Sequence, residues 1–147
     1  MTPQPIRVLC IEDNPGDVML VRMALAGTGN PFVVEWADRL SGGLESLARQ
    51  PADAVLLDLG LPDSRGLDTL ARIRREAPSA PVVVLTGLDD DPSEVKALTA
   101  GAQDYLSKNT LEGEVLARAI RHAIERSHLL ASERAARAEA ERANLAK

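Results

Sequence analysis

The chain has 147 residues, 45% of them hydrophobic and 27% charged, with a formal net charge of −5. That suits one core-bearing domain plus an appendage and excludes wholesale disorder. The acidic balance argues against direct nucleic-acid binding, which calls for a basic face, and no stretch nears the ~20 apolar residues of a membrane span. The lone cysteine, Cys10, cannot close an internal disulfide, and the opening Met-Thr-Pro-Gln-Pro lacks the basic and apolar regions of a signal peptide. A soluble, cytoplasmic protein is expected. With aromatics at 2%, its core must be built from Val, Leu, Ile and Ala.

Five short apolar runs alternate with segments of helical period. The first run is Ile6–Ile11. Residues 18–25 then put apolar side chains on one helical face and stop at Gly27. A second run covers 32–36, and a helix fits 41–48 with Ser41 as its N-cap and Pro51 beyond its end. The run 54–57 precedes a helix over Leu67–Glu76, where Leu67, Leu70, Ile73 and Ala77 form a stripe. The run 82–85 precedes a helix over 92–100 that closes at Gly101. The brief run 105–106 precedes a last helix starting near Leu111. Such alternation predicts right-handed βαβ crossovers and a five-stranded, doubly wound parallel α/β sheet with helices on both faces. Ligands in that architecture sit at the carboxyl ends of the strands, where strand order reverses.

At those ends stand Glu12-Asp13 after the first run, Asp58 after the third, Thr86-Gly87 after the fourth and Lys108 shortly after the fifth. Gathered carboxylates repel one another unless a cation sits among them, and Mg2+ suits two or three carboxylates with open positions. Thr86 could donate to a phosphoryl oxygen and Lys108 could neutralise its charge. A carboxylate between metal and ammonium can attack phosphorus, and Asp58, ending the most apolar run, is the best nucleophile, with Glu12 and Asp13 better suited to metal binding. Each residue also has an ordinary reading. Asp13 and Asn14 could cap a helix, Asp58 could be a strand-to-loop residue, Thr86 a strand residue and Lys108 a solvated loop lysine. Their joint placement is what favours chemistry. Asp89-Asp90-Asp91 reads as a solvated loop beside a helix N-terminus, His122 and His128 as ordinary helix residues, and Cys10 as a small buried hydrophobe.

Four blocks carry these residues: Ile11-Glu12-Asp13-Asn14; Leu56-Leu57-Asp58-Leu59-Gly60-Leu61-Pro62 with Gly66 after it; Val84-Leu85-Thr86-Gly87; and Ala100-Gly101-Ala102-Gln103-Asp104-Tyr105-Leu106-Ser107-Lys108. In this order they resemble the receiver domain of two-component response regulators. The resemblance implies a flavodoxin-like sheet of order 2-1-3-4-5 with an extended C-terminal helix. It implies that Asp58 accepts a phosphoryl group from a sensor histidine kinase or phosphotransfer protein. It further implies that Glu12, Asp13, Asp58 and the backbone carbonyl of Gly60 hold Mg2+. Thr86 resembles the switch hydroxyl, Tyr105 the switch aromatic that turns inward with it, and Lys108 the lysine that pairs with the phosphate. Such a chain is no enzyme in the ordinary sense, catalysing only its own phosphorylation and dephosphorylation. Asn109 departs from the proline usual after the lysine; a cis bond there would cost ~3 kcal/mol, so a trans bond is expected. Gly60 stands where larger side chains are common, which would leave an acyl phosphate more open to water.

Two other readings compete: a degenerate receiver serving as an unphosphorylated dimerisation scaffold, and an aspartate-nucleophile phosphotransferase. The second wants a general acid soon after the nucleophile, which Leu59-Gly60-Leu61 does not offer. Domain organisation is expected to be a receiver over residues 1–126 and a helical linker or coiled-coil extension over 127–147. The extension is rich in Ala, Glu and Arg, without Gly or Pro. Ala131, Ala135, Ala138 and Leu145 give a heptad seam interrupted by Arg142, which suits a weak homodimeric coiled coil as well as a solvated helix. No stop signal ends this helix, so an output domain (histidine kinase, cyclase or phosphatase) is expected beyond it.

Overall fold

A computed structural model describes residues 4–87, 104–108 and 111–145. The helix predicted over 92–100, the Asp89-Asp90-Asp91 run and Asn109 lie outside the described residues.

Strands β1 (Ile6–Ile11), β2 (Phe32–Ala37), β3 (Ala54–Asp58), β4 (Val82–Thr86) and β5 (Asp104–Ser107) pair in parallel, in the order β2-β1-β3-β4-β5. This is the predicted doubly wound sheet, and order reverses between β1 and β3. Successive side chains in a strand face opposite ways, so a strand covered on both faces reads as an unbroken apolar run. Val8, Cys10, Leu56, Val83 and Leu85 accordingly enter one core, while Leu9, Ile11, Val55, Leu57 and Val84 enter the other. All five residues of β3 are buried.

Helix α1 (Pro15–Ala26) begins three residues before the predicted apolar face because its start is set by a cap. Asn14 Oδ1 accepts from the Gly16 amide at 2.9 Å, so of the two candidate caps it is Asn14, leaving the Asp13 carboxylate exposed. Val18, Val21 and Leu25 of α1 share the first core with Leu116, Ala117, Ile120 and Ala123 of the C-terminal helix, Gly113–Leu145. Fully burying Leu116 and Ile120 contributes about 2 kcal/mol each to docking that helix. At its first turn, a Cβ on Gly113 would collide with the Ala24 carbonyl, so glycine alone permits this approach to α1. Helices α2 (Leu40–Arg49) and α3 (Leu67–Glu76) cover the opposite face through Leu40, Leu70 and Ile73; Ala77, the end of the predicted stripe, is the half-buried C-cap of α3.

The N-cap assigned to Ser41 is corrected by the structure. Ser41 lies inside α2, whose N-cap residue, Arg39, makes no side-chain capping bond. Asp63 caps α2 from another loop, its two oxygens accepting from the Leu40 and Ser41 amides at 2.8 and 2.9 Å. A carboxylate at a helix N-terminus satisfies orphan donors and meets the positive end of the dipole, which a serine already turned into the helix cannot do. Burial is the largest single influence on Asp63 and opposes its charge, but the hydrogen bonds from Ser41 and Leu40 together outweigh it and hold its pKa below the usual value. Asp63→Ala is therefore expected to cost about 1 kcal/mol at pH 7. Because the folded pKa is depressed, that contribution is present above the unfolded pKa and disappears as pH falls through the folded one. Chemical denaturation at pH 7 and at pH 3 checks this: the gap between mutant and wild type should narrow at the lower pH.

The C-terminal helix has 33 residues, roughly 50 Å of rise. Ser127 Oγ of this helix donates to the Ser79 carbonyl at 3.3 Å, tying it to the domain. From His128 to Ala143 every residue is exposed, Leu129 and Leu130 included. Among the described residues, no helix is long and apolar enough to cross a membrane.

Candidate functional site

Parallel pairing puts the carboxyl ends of all five strands on one edge, which is why residues far apart in sequence meet there. Glu12, directly after β1, is 1% exposed. Its amide donates to the Ala37 carbonyl at 3.0 Å, and its Oε1 accepts from the Asn14 amide at 3.1 Å. Asp58 ends β3 one strand over and is 7% exposed. Lys108, just beyond β5, reaches back across the edge. Its Nζ lies 2.5 Å from Glu12 Oε2, 3.1 Å from Asp17 Oδ2 and 3.3 Å from Asp58 Oδ1.

One carboxylate oxygen from each of Glu12, Asp13 and Asp58 lies within 4.8 Å of the other two. Among the described residues, three carboxylates, Glu12, Asp17 and Asp58, thus face the Lys108 ammonium, with Asp13 beside them at the rim. Burial, reinforced by the charge of Asp58, pushes Glu12 up to about pKa 7 against the pull of Lys108 and the Asn14 amide. Burial opposes the charge on Lys108, yet Glu12, Asp58 and Asp17 together raise its pKa above the ordinary lysine value, so it remains an ammonium at neutral pH. An oxygen-only donor set in which, among the described residues, carboxylates outnumber the one ammonium, with one exposed member at the rim, fits Mg2+.

Thr86 ends β4, and Asp58 pairs with Leu85, so the hydroxyl lies one residue beyond that pairing. It donates to the Leu106 carbonyl of β5 at 3.3 Å. Tyr105 is 46% exposed. Gly60 sits in the loop after β3, bridged to Arg65, with room for a side chain: a Cβ there would meet nothing within 4 Å. That loop closes through Gly66 at φ +60°, a conformation that favours glycine. Cys10 is buried, and burial together with the Glu12 charge pushes its thiol up to about 12, so it stays protonated as the expected small hydrophobe.

The structure brings together Glu12, Asp13, Asp58 and Lys108, while the Thr86 hydroxyl is engaged with Leu106 and the Tyr105 side chain is half exposed. Sequence reasoning missed Asp17. Its signal was present, since Asp13-Asn14-Pro15-Gly16-Asp17 puts Asp17 in the first turn of α1, facing the strand edge. It also missed Trp36, whose indole N–H donates to the Glu12 carbonyl at 2.6 Å.

Fold and site together define a doubly wound α/β module with an acidic, lysine-bridged pocket at its topological switch point. The chain matches the family described as response regulator receiver domain over residues 8–121. It belongs to that family. It is 41% identical over 120 residues to the transcriptional regulatory protein KdpE of Mycobacterium tuberculosis, covering 82% of this chain and 51% of that one. With the KDP operon transcriptional regulatory protein KdpE of Escherichia coli it shares 39% over 111 residues, 76% of this chain and 48% of that one. The chain thus spans about half the length of these curated relatives. A crystal structure of a response regulator receiver domain protein from Clostridium thermocellum superposes with a TM-score of 0.71 at 29% identity, covering 85% of this chain and 98% of that one. The signal receiver domain of an HD domain-containing protein from Pseudomonas fluorescens Pf-5 gives 0.74 at 25%, covering 91% and 95%.

Proposed function

We propose that this receiver domain is a phosphoacceptor: Asp58 takes a phosphoryl group from a histidine kinase or phosphotransfer protein, and the resulting aspartyl phosphate switches the domain. The observation that carries this is Lys108 Nζ held between Glu12 and Asp58 beside a carboxylate cluster suited to a divalent ion. In the transfer, an Asp58 carboxylate oxygen attacks phosphorus and the donor's P–N bond breaks. The imidazole leaves with the bonding pair and takes a proton from solvent, and the product is an acyl phosphate. Glu12, Asp13, Asp58 and the Gly60 carbonyl would hold Mg2+, which supplies charge neutralisation to the attacking carboxylate and the phosphoryl oxygens. Lys108 pairs with the transferred group.

The bond from Thr86 to Leu106 and the exposed Tyr105 suit the resting arrangement. On phosphorylation the Thr86 hydroxyl donates to a phosphoryl oxygen instead, and Tyr105 turns inward. Such a change requires that the phosphoryl group bind one arrangement better than the other. Incubation with Mg2+ and a small phosphodonor tests the reading: intact-mass measurement should show the gain of one phosphate.

The receiver occupies residues 1–126 and the extension 127–147, a division supported by the exposure of every residue from His128 to Ala143. The extension pairs with a second copy as a helical coiled coil and passes the switch to an output domain. The module works in the cytoplasm. The regulatory roles stated in the relatives' names belong to longer proteins, of which this chain matches about half, and no nucleic-acid contact is assigned to the receiver itself. Deleting residues 128–147 is expected to leave the thermal midpoint of the domain within about 2 °C, because residues 128–143 do not pack on it. The same deletion should convert a dimer to a monomer in sedimentation; a full chain monomeric at the same concentration would refute the pairing.

A further inference from the structure

Glu12 is held by β2 at both of its peptide groups. Its amide donates to the Ala37 carbonyl at 3.0 Å, and its carbonyl accepts the Trp36 indole N–H at 2.6 Å. The first bond is ordinary sheet extension. The second is not: it comes from a side chain 24 residues away, at the exposed edge strand of the sheet. Trp36 pairs with Cys10 in register, and Phe32 and Val34 of the same strand face pack against the first core, so the indole has a fixed base from which to reach the turn after β1. Trp36 is the only tryptophan and is 44% exposed, so core packing alone does not account for it.

We propose that Trp36 is a positioning residue for the acidic site: by fixing the Glu12 carbonyl it sets the Glu12–Asp13 peptide, and with it where both carboxylates stand relative to Asp58. The physical need is plain. The turn must hold two negative groups close to a third against their mutual repulsion, and its own hydrogen bonds fix only the Glu12 side chain and the start of α1. An outer hydrogen bond that orients ligand-bearing residues typically changes metal affinity by tenfold or more when lost. The indole touches neither phosphate nor metal in this role; it acts through Glu12. This inference rests on the functional reading above.

The test is Mg2+ affinity, read from amide chemical shifts of the 15N-labelled full chain during titration with Mg2+ alone. Trp36→Phe removes the N–H and keeps an aromatic ring, and replacement of Trp36 by benzothienylalanine keeps the shape while removing only the donor. Both are expected to weaken the dissociation constant about tenfold. Ile73→Val, a modestly destabilising core change on the far face, should leave it at the wild-type value. Wild-type affinity in the two donor-less proteins would overturn the assignment, as would an equal loss in Ile73→Val, which would mark a general effect of stability. A wild-type chain with no saturable response to Mg2+ would overturn the functional reading itself, and this inference with it.

Discussion

Asp58→Asn is expected to abolish phosphate incorporation while leaving the domain folded. The amide nitrogen cannot attack phosphorus as the carboxylate does, and Glu12 and Asp13 are not placed to replace it: Glu12 is committed to Lys108 and the Asn14 amide, and Asp13 lies exposed at the rim. Folding should survive because the substitution removes a buried charge that repels Glu12. The thermal midpoint should therefore equal or exceed that of the wild type. Intact mass after incubation with Mg2+ and a small phosphodonor reads the first claim, and calorimetry reads the second. Chelating the metal before the donor is added should block incorporation into the wild type as completely as the mutation does. Incorporation at full rate without metal would remove the role given to Glu12 and Asp13. A phosphate still gained by Asp58→Asn would move the acceptor elsewhere, and the unphosphorylated scaffold would gain ground if wild type gained none.

Lys108→Met should have the largest effect on stability of any change at the site. It leaves Glu12 and Asp58 buried with no counter-charge among the described residues, and removing one partner from a buried ion pair typically costs 3–5 kcal/mol. Asp17 stays partly solvated, so the lower end, about 3 kcal/mol, is expected at pH 8. That corresponds to a midpoint roughly 10 °C lower for a chain of this size. The deficit should depend on pH with a definite sign. Glu12 already has its pKa raised to about 7, and losing the ammonium raises it further, whereas its unfolded value is unchanged. Between the unfolded and folded pKa values the native state binds more protons, so the mutant's stability rises as pH falls. Unfolding at pH 8 and pH 5.5 should show the gap from wild type narrowing at the lower pH. Mg2+ binding should not weaken in this mutant, because the ammonium competes with a metal for the same oxygens; a weaker Mg2+ affinity would contradict that competition.

Much of this architecture is legible in the chain itself. β1, β3 and β4 stand out because a strand covered on both faces must be apolar at consecutive positions, as Val55, Leu56 and Leu57 are. The span of α3 is legible from its stripe, since Leu70 and Ile73 must meet the sheet at helical spacing. The ends of other elements were less so. β2 runs one residue past its apolar stretch to Ala37, whose carbonyl is needed by the Glu12 amide, and the last helix starts at Gly113 rather than Leu111, at the point where only glycine clears α1.

Sequence by itself determined which groups stand at the carboxyl edge of the sheet, because in a parallel sheet every strand ends on the same side: Asp58 and Thr86 are the last residues of their strands, and Glu12 and Lys108 follow directly on theirs. Only the tertiary structure decided what each group does there. Lys108 meets Asp17 across 91 residues, Asp63 caps α2 across 23, and Trp36 reaches the Glu12 carbonyl across 24. Hydrogen bonds and ion pairs act over a few ångströms of space and carry no periodicity along the chain. They become visible only once packing of the two cores has set the distances between loops.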